Sequence, residues 1–302
     1  MTSPTTSVVP DNSPVSVREL AITEARGSLR RVSIWMGFVL TIGILASPTT
    51  ADWPGGSYTE KLPQSFMPIV LGTFIAAFRT GRRDGRHDVS ESAPLDANDR
   101  ARARLASIAL PAFLTLLMAA GLAIASRIEG GFWLGDHPRR TDTALHSLGE
   151  LIQLPLVVAV VGAAGIAVGR ARRAIPVAII IGAVLFTTFP GYWLWNIPPV
   201  HTITPVQTQP LRVELDAGTD VDQLPAEWFV EHSNDNPDRE SDAPARQIVH
   251  QPTILGHNIY LIGLFGLAVG AAIRGSRGRR LALAAATIAT GGVVMQLVVS
   301  PL

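Results

Sequence analysis

Among the residues able to act as acids, bases or ligands, His146 and Glu150 have the most suggestive spacing. At i and i+4 of a helix they face the same way, so an imidazole and a carboxylate could meet one ligand at the mouth of an apolar block. Against this stands the plainer reading that both simply hydrate at a membrane boundary, and no metal site is assigned to them. Asp216, Asp220 and Asp222 could touch calcium, but the glycine and closing glutamate of a calcium loop are missing. The chain has no cysteine, which excludes disulfides, thiolate zinc sites, iron-sulfur clusters and cysteine nucleophiles. It also lacks the phosphate-cradling G-x-x-x-x-G-K-[ST], H-E-x-x-H, G-x-S-x-G and a G-x-G-x-x-G opening a helix after a strand. An enzyme is not expected, nor is a cofactor, and ATP dependence would have to come from another subunit.

The residues that would position any site are overwhelmingly apolar. Of 302 residues 47% are hydrophobic and only 16% charged, against a usual charged share of about a quarter in soluble domains. The apolar residues come in blocks near the length that spans a bilayer. They are Val32 to Ser47, Leu62 to Phe78, Leu105 to Ser126, Leu151 to Gly169, Ala174 to Asn196, Ile254 to Ile273 and Leu281 to Val299. The second is the weakest, because Pro63 and Pro68 interrupt it. The expected fold is all-α: a polytopic transmembrane bundle of six to seven spans, the first retained as an anchor without a cleavable signal peptide. Near-neutral net charge, +1, suggests no nucleic-acid partner. The distribution of charge is more telling. With the N-terminus inside and alternation thereafter, 18 basic and 8 acidic residues fall inside, and 7 basic and 16 acidic outside. This is the asymmetry of a cell-membrane protein with a cytoplasmic N-terminus, and losing one span would invert every later loop. Trp53, Trp133, Trp193 and Trp195 then sit at the outer boundary, where amphipathic rings settle. No span carries a charge in its middle, which speaks against a proton-coupled carrier. Gly162-Ala163-Ala164-Gly165 and Gly263-Leu264-Phe265-Gly266 would permit close helix approach.

Several pieces lie outside the spans. Residues 1–14, rich in Ser, Thr and Pro, read as a disordered tail. Residues 15–31 read as an amphipathic helix on the inner leaflet, with Val17, Ala21, Ala25 and Leu29 on one stripe and Arg18, Arg26, Arg30 and Arg31 available to lipid phosphates. Residues 32–196 hold spans one to five, interrupted by the inner loop 79–104, where Asp88 or Ser90 could cap a short helix and Pro94 would end it. Residues 197–253 form an acidic outer segment, with three arginines and ten acids. Its Leu211-Arg212-Val213-Glu214-Leu215 alternation suggests a strand and Trp228-Phe229-Val230 an apolar anchor, hence a small module. Residues 254–302 hold the last two spans.

Taken in order, these features resemble the permease subunits of type-2 ABC transporters, particularly the actinobacterial branch. Arg18-Glu19-Leu20 through Arg30-Arg31 is similar to the family's arginine-rich elbow helix. Arg79, Arg82, Arg83, Glu91, Pro94, Arg100, Arg102 and Arg104 follow its order of arginine turn, short Glu- and Pro-containing segment, and second arginine cluster. His257-Asn258-Ile259-Tyr260-Leu261-Ile262-Gly263-Leu264 looks like its His-x-x-Tyr-x-x-Gly-Leu opening of a late span. The resemblance implies an exporter of a hydrophobic or amphipathic substrate, driven by a separate cytoplasmic P-loop ATPase and working as a homo- or hetero-dimer. It further implies that Ser90 to Asp99 docks into that ATPase, with Arg82, Arg83, Ser90, Glu91, Pro94 and Asp99 as coupling residues. A seventh block, the long outer segment and the weak second block depart from the usual six-span core. The alternative is a polytopic sensor or assembly protein that binds a ligand or partner through its acidic outer loop.

Overall fold

Segments destined for lipid find no water to satisfy their peptide groups, so they must close their backbone hydrogen bonds internally, which a helix does. A computed structural model describes residues 16–46, 58–86, 95–128, 146–171, 174–188, 200–206, 211–214, 228–231, 245–248 and 251–299. Nine helices are present among them: α1 (Val17–Leu29), α2 (Val32–Ala46), α3 (Tyr58–Arg86), α4 (Ala97–Ser107), α5 (Ala109–Ile128), α6 (Leu148–Gly169), α7 (Ala174–Thr188), α8 (Gln251–Ala272) and α9 (Ser276–Val299). A 3-10 turn, Val200–Ile203, follows α7. Three four-residue strands, β1 (Leu211–Glu214), β2 (Trp228–Glu231) and β3 (Ala245–Ile248), form an antiparallel sheet in the order β1-β3-β2, with Leu211 and Trp228 both opposite Ile248. The alternation from Leu211 and the Trp228 triplet thus both fall on strands.

Four stretches are long and apolar enough to cross a bilayer: Ala97–Ala125, which joins α4 to α5, then α6, α8 and α9. Counting α1 and α2 together, bent by 56° at their junction, gives five. Every apolar block of the sequence holds a helix, but among the described residues α2 and α7 have only 15 residues each. At 1.5 Å per residue that is about 22 Å, short of the roughly 30 Å of hydrocarbon. The 29 residues of α3 run unbroken through Pro63 and Pro68, with polar sequence at both ends. The third block starts earlier than its hydropathy suggests, because Asp96 caps α4 by accepting the backbone N–H groups of Asn98 and Asp99, both at 2.7 Å. The break at Ile108 precedes Pro111, whose missing N–H leaves the carbonyl of Ser107 without its helical partner.

At the centre stands α6, packed against α3, α5, α7 and α8. Buried residues make up 56% of its apolar window, against 22% to 33% in the other three. Leu151, Leu154, Val157, Val158 and Val161 face a core shared with Phe66, Ile69, Val70 and Phe74 of α3 and Leu261 of α8. Glycines set how closely the backbones approach. A Cβ on Gly81 would stand 2.3 Å from the Ile166 carbonyl oxygen, and one on Gly169 would stand 2.4 Å from that of Phe78. In the α8–α9 pair Gly256, Gly263 and Gly270 recur every seventh residue and meet Gly292, Ala289 and Ala282. This is the small-residue packing that membrane helices need where the hydrophobic effect gives no preference for helix over lipid. At the turn between them Gly275, which immediately precedes α9, has φ +90°, a left-handed conformation that glycine adopts without strain.

The same contacts give direction. Phe74 meets Gly165 and Phe78 meets Gly169, so α3 runs parallel to α6; Gly149 meets Ile254, so α8 starts where α6 starts. By contrast α2 is antiparallel to α3 and α9 to α8. Outward-facing Val39, Leu40, Phe113, Leu117, Ile179, Ile180 and Val298 remain exposed on the bundle's flanks, as lipid-facing side chains would be.

Replacing Gly263 by leucine would place its Cβ 2.4 Å from the Ala289 nitrogen, an overpacking expected to cost about 1–3 kcal/mol or more. Gly43→Leu, at a position with nothing within 4 Å, is expected to change little. Thermal unfolding of the two variants in mild detergent compares them: a clear drop in Tm for the first only.

Candidate functional site

Two polar assemblies lie at opposite ends of the bundle. The first gathers the arginine-bearing segments. On α1, Ser16 and Glu19 form a capping box, each accepting the other's backbone N–H. The helix lies against α4, where the Arg104 Nε reaches the Glu24 carboxylate at 3.4 Å. Arg31, at the bend between α1 and α2, donates from Nη1 to the carbonyl of Ala76 on α3. The start of α4 is tied to two further elements. Arg170, ending α6, donates to the Ala97 carbonyl (3.1 Å), and Arg274, in the α8–α9 turn, donates to the Arg170 carbonyl (3.0 Å). Asn98 closes the loop with Arg274: its Oδ1 accepts the Arg274 backbone N–H at 3.1 Å, and its Nδ2 donates to the Arg274 carbonyl at 3.3 Å. Segments that are 176 residues apart in sequence are thereby joined. The N–H groups of Asp99 and then Asn98 hold the Asp96 carboxyl below its ordinary range. Its cap is therefore complete at neutral pH and is lost only as pH falls through that depressed value.

The coupling residues expected from sequence do not gather in one helix. Arg82 is half-buried where its backbone passes Gly169, Arg83 is exposed, and Asp99 sits in the first turn of α4 and pairs with Arg102 at 2.9 Å. Ser90, Glu91 and Pro94 lie outside the described residues, as do Asp88, Asp216, Asp220 and Asp222. Of the arginines expected on the first helix, Arg18, Arg26 and Arg30 are exposed and Arg31 is half-buried.

The second assembly lies at the other end. Ser147 and Glu150 form a capping box on α6: the Glu150 Oε2 accepts the Ser147 backbone N–H at 2.7 Å, and the Ser147 Oγ accepts that of Glu150 at 3.3 Å. The Glu150 Oε1 lies 3.7 Å from the His146 Nδ1, and both side chains are buried. The spacing thus brings this pair together, though to stabilise a helix end. Among the described residues no group of three His, Cys, Asp or Glu is placed to hold a metal ion. Farther around this end Gln296 of α9 is fully buried. Its Nε2 donates to the carbonyls of Thr202 (3.1 Å) and Gly292 (3.3 Å), while its Oε1 lies 3.3 Å from the His257 Nδ1. Two carbonyls fix one end of the amide as NH2, so the oxygen faces the ring and the His257 Nδ1 carries the proton. Thr202, Thr204 and Val206 are buried beside it, and Val206 joins the main apolar core. A non-helical piece of chain therefore penetrates the end of the bundle, which lipid permits only where protein encloses it. Asn258 adds a tie by donating to the Gly149 carbonyl at 3.1 Å.

Comparison with protein-family models, characterised proteins and solved structures finds no match. The site must be read from its own geometry. Sequence reasoning passed over Gln296 and Thr202, and singled out His257 as part of the His-x-x-Tyr pattern. The available signal was a lone long-chain amide in the apolar block Leu281 to Val299, which lipid tolerates only with a partner.

Gln296→Met keeps the volume and removes both roles of the amide. It is expected to lower stability by about 1–3 kcal/mol, since a carbonyl and a ring N–H lose a buried partner. Adding His257→Leu should cost less than the two single losses combined, measurable by a double-mutant cycle on unfolding midpoints. Strict additivity would mean the two side chains do not act as a unit.

Proposed function

We propose that the chain is the membrane-spanning permease subunit of an ABC transporter, exporting a hydrophobic or amphipathic substrate under the power of a separate cytoplasmic P-loop ATPase. The observation that carries this reading is the interlocked arginine-bearing end. The segment between α3 and α4 leaves one helix braced by Arg31 and enters another tied by Arg104, Arg170 and Asn98 to α1, α6 and the α8–α9 turn. A push on that segment meets five elements at once, as force transmission by a rigid body requires. In this reading α1, capped and bent 56° away from α2, is the elbow helix along the inner leaflet.

The reading takes the arginine-bearing end as cytoplasmic, in the cell membrane, with the N-terminus inside. It counts seven crossings, with α2, α3 and α7 as additions to the four stretches that qualify by length. Support comes from direction: α6 ends beside Arg170, yet α8 starts beside Gly149 at the opposite end. The intervening chain must return, and α7 is the helix available for it among the described residues. A pair of such subunits would form the substrate path. A second reading, a sensor or assembly protein working through the acidic outer segment, is favoured by the β1-β3-β2 sheet, which gives that segment ordered structure.

The test is a mild-detergent pull-down of the tagged chain with mass spectrometry of its partners and an ATP hydrolysis assay of the eluate. A near-stoichiometric P-loop ATPase is expected, retained by wild type and reduced several-fold by charge reversal at Arg82 and Arg83 or by Glu91→Ala, with membrane insertion intact. Absence of an ATPase under conditions that preserve a known ABC complex would sink the transporter and favour the sensor. Unchanged recovery with these variants would sink the residue assignment alone.

A further inference from the structure

Among the described residues, the bend between α1 and α2 gathers more arginines than carboxylates. On α3, Gly72, Ala76, Arg79 and Arg83 fall at i, i+4, i+7 and i+11, one continuous helical stripe. The first two positions are accounted for: a Cβ on Gly72 would press on the Ser33 carbonyl of α2, and the Ala76 carbonyl accepts Arg31. Because α2 begins at Val32, the stripe runs past its end, so Arg79 and Arg83 continue beneath the bend where Arg31 sits. Arg104 approaches from α4, and the carboxylate facing this group from α1 is Glu24, already within 3.4 Å of the Arg104 Nε. Among the described residues, four guanidiniums thus face one carboxylate. Burial, and then Arg83, push the Arg31 guanidinium below its ordinary value, with Glu24 opposing and Arg79 and Arg104 adding to the repulsion.

We propose that Arg31, Arg79 and Arg83 form a binding site for the phosphate of an anionic phospholipid. The ligand chemistry follows from the donors, since clustered guanidiniums favour phosphate oxygens, which they bind in a two-pronged fashion. The lipid source, in preference to free phosphate, follows from the next turn of α2. Val32, Trp35, Met36 and Val39 recur at i, i+3, i+4 and i+7 and are 69%, 48%, 56% and 65% exposed. Ile75, one turn before Arg79 on α3, is exposed as well. An apolar face therefore begins directly at the arginines, where acyl chains would lie once the headgroup is held. The Trp35 indole N–H bonds to the Leu29 carbonyl, at the depth where interfacial tryptophan settles. The site needs neither an ATPase nor a transport cycle, so it stands apart from the permease reading.

The test is native mass spectrometry of the full chain in a non-ionic detergent, titrated separately with phosphatidylglycerol, phosphatidylcholine and inorganic phosphate. Phosphatidylglycerol should be retained at least ten-fold better than phosphatidylcholine. Arg79→Gln with Arg83→Gln should abolish that preference, while Arg277→Gln with Arg280→Gln, exposed arginines of α9, should leave it in place. An equal loss from both pairs would reduce the effect to general surface charge and overturn the site. Displacement of the lipid by millimolar inorganic phosphate would overturn the lipid assignment in favour of a free anion. Circular dichroism of each variant establishes that helix content is retained, and Arg79→Lys, which keeps charge but not the planar fork, should restore only part of the preference.

Discussion

The approach of α3 to α6 is the contact on which the rest of the bundle depends. It is made backbone to backbone, with Gly81, Gly165 and Gly169 in contact with Ile166, Phe74 and Phe78. In lipid there is little to gain by burying an apolar side chain against protein instead of hydrocarbon, so association rests on close fit and on polar groups that find partners. Glycine supplies the first. Once α3 and α6 are set side by side in the same direction, Arg31 can reach Ala76, Arg170 can reach Ala97, and α8 can take its place along α6.

That dependence explains what the sequence displayed and what it concealed. Apolar block length and arginine placement are local properties, and they delivered a helix in every apolar block as well as the grouping of arginines at one end. The glycine pairs Gly162/Gly165 and Gly263/Gly266 were visible as candidates, and each now has a neighbour that a Cβ would strike. Helix starts were less legible. Hydropathy placed the third block at Leu105, whereas Asp96 starts the helix eight residues before it, because a cap acts on backbone donors and is indifferent to apolarity. The Gln296 link was illegible for another reason: it joins α8, α9 and the 3-10 turn, and no spacing within one segment encodes it.

The two ends differ in construction. The arginine-bearing end is held largely by side chains that reach backbone carbonyls, with the largely buried Arg104–Glu24 pair beside them, so several helices are locked together. The opposite end is held by buried amides, hydroxyls, imidazoles and the Glu150 carboxylate around the insertion that carries Thr202. Buried polar networks of this kind are stable when satisfied and costly when half-satisfied. That end is therefore one in which a small rearrangement of Gln296 would be felt by three elements.

Parallel packing also has an electrical consequence. Each helix carries roughly half a positive charge at its N-terminus and half a negative charge at its C-terminus. Neighbours in an antiparallel bundle cancel these, as α8 and α9 do, but α3 and α8 both run with α6. Their three C-terminal ends collect where Arg82, Arg170 and Arg274 lie, and the N-terminal end of α6 receives Glu150. These arginines thus offset the field of the central helices, so the charge asymmetry read along the sequence is partly a dipole correction made by the fold.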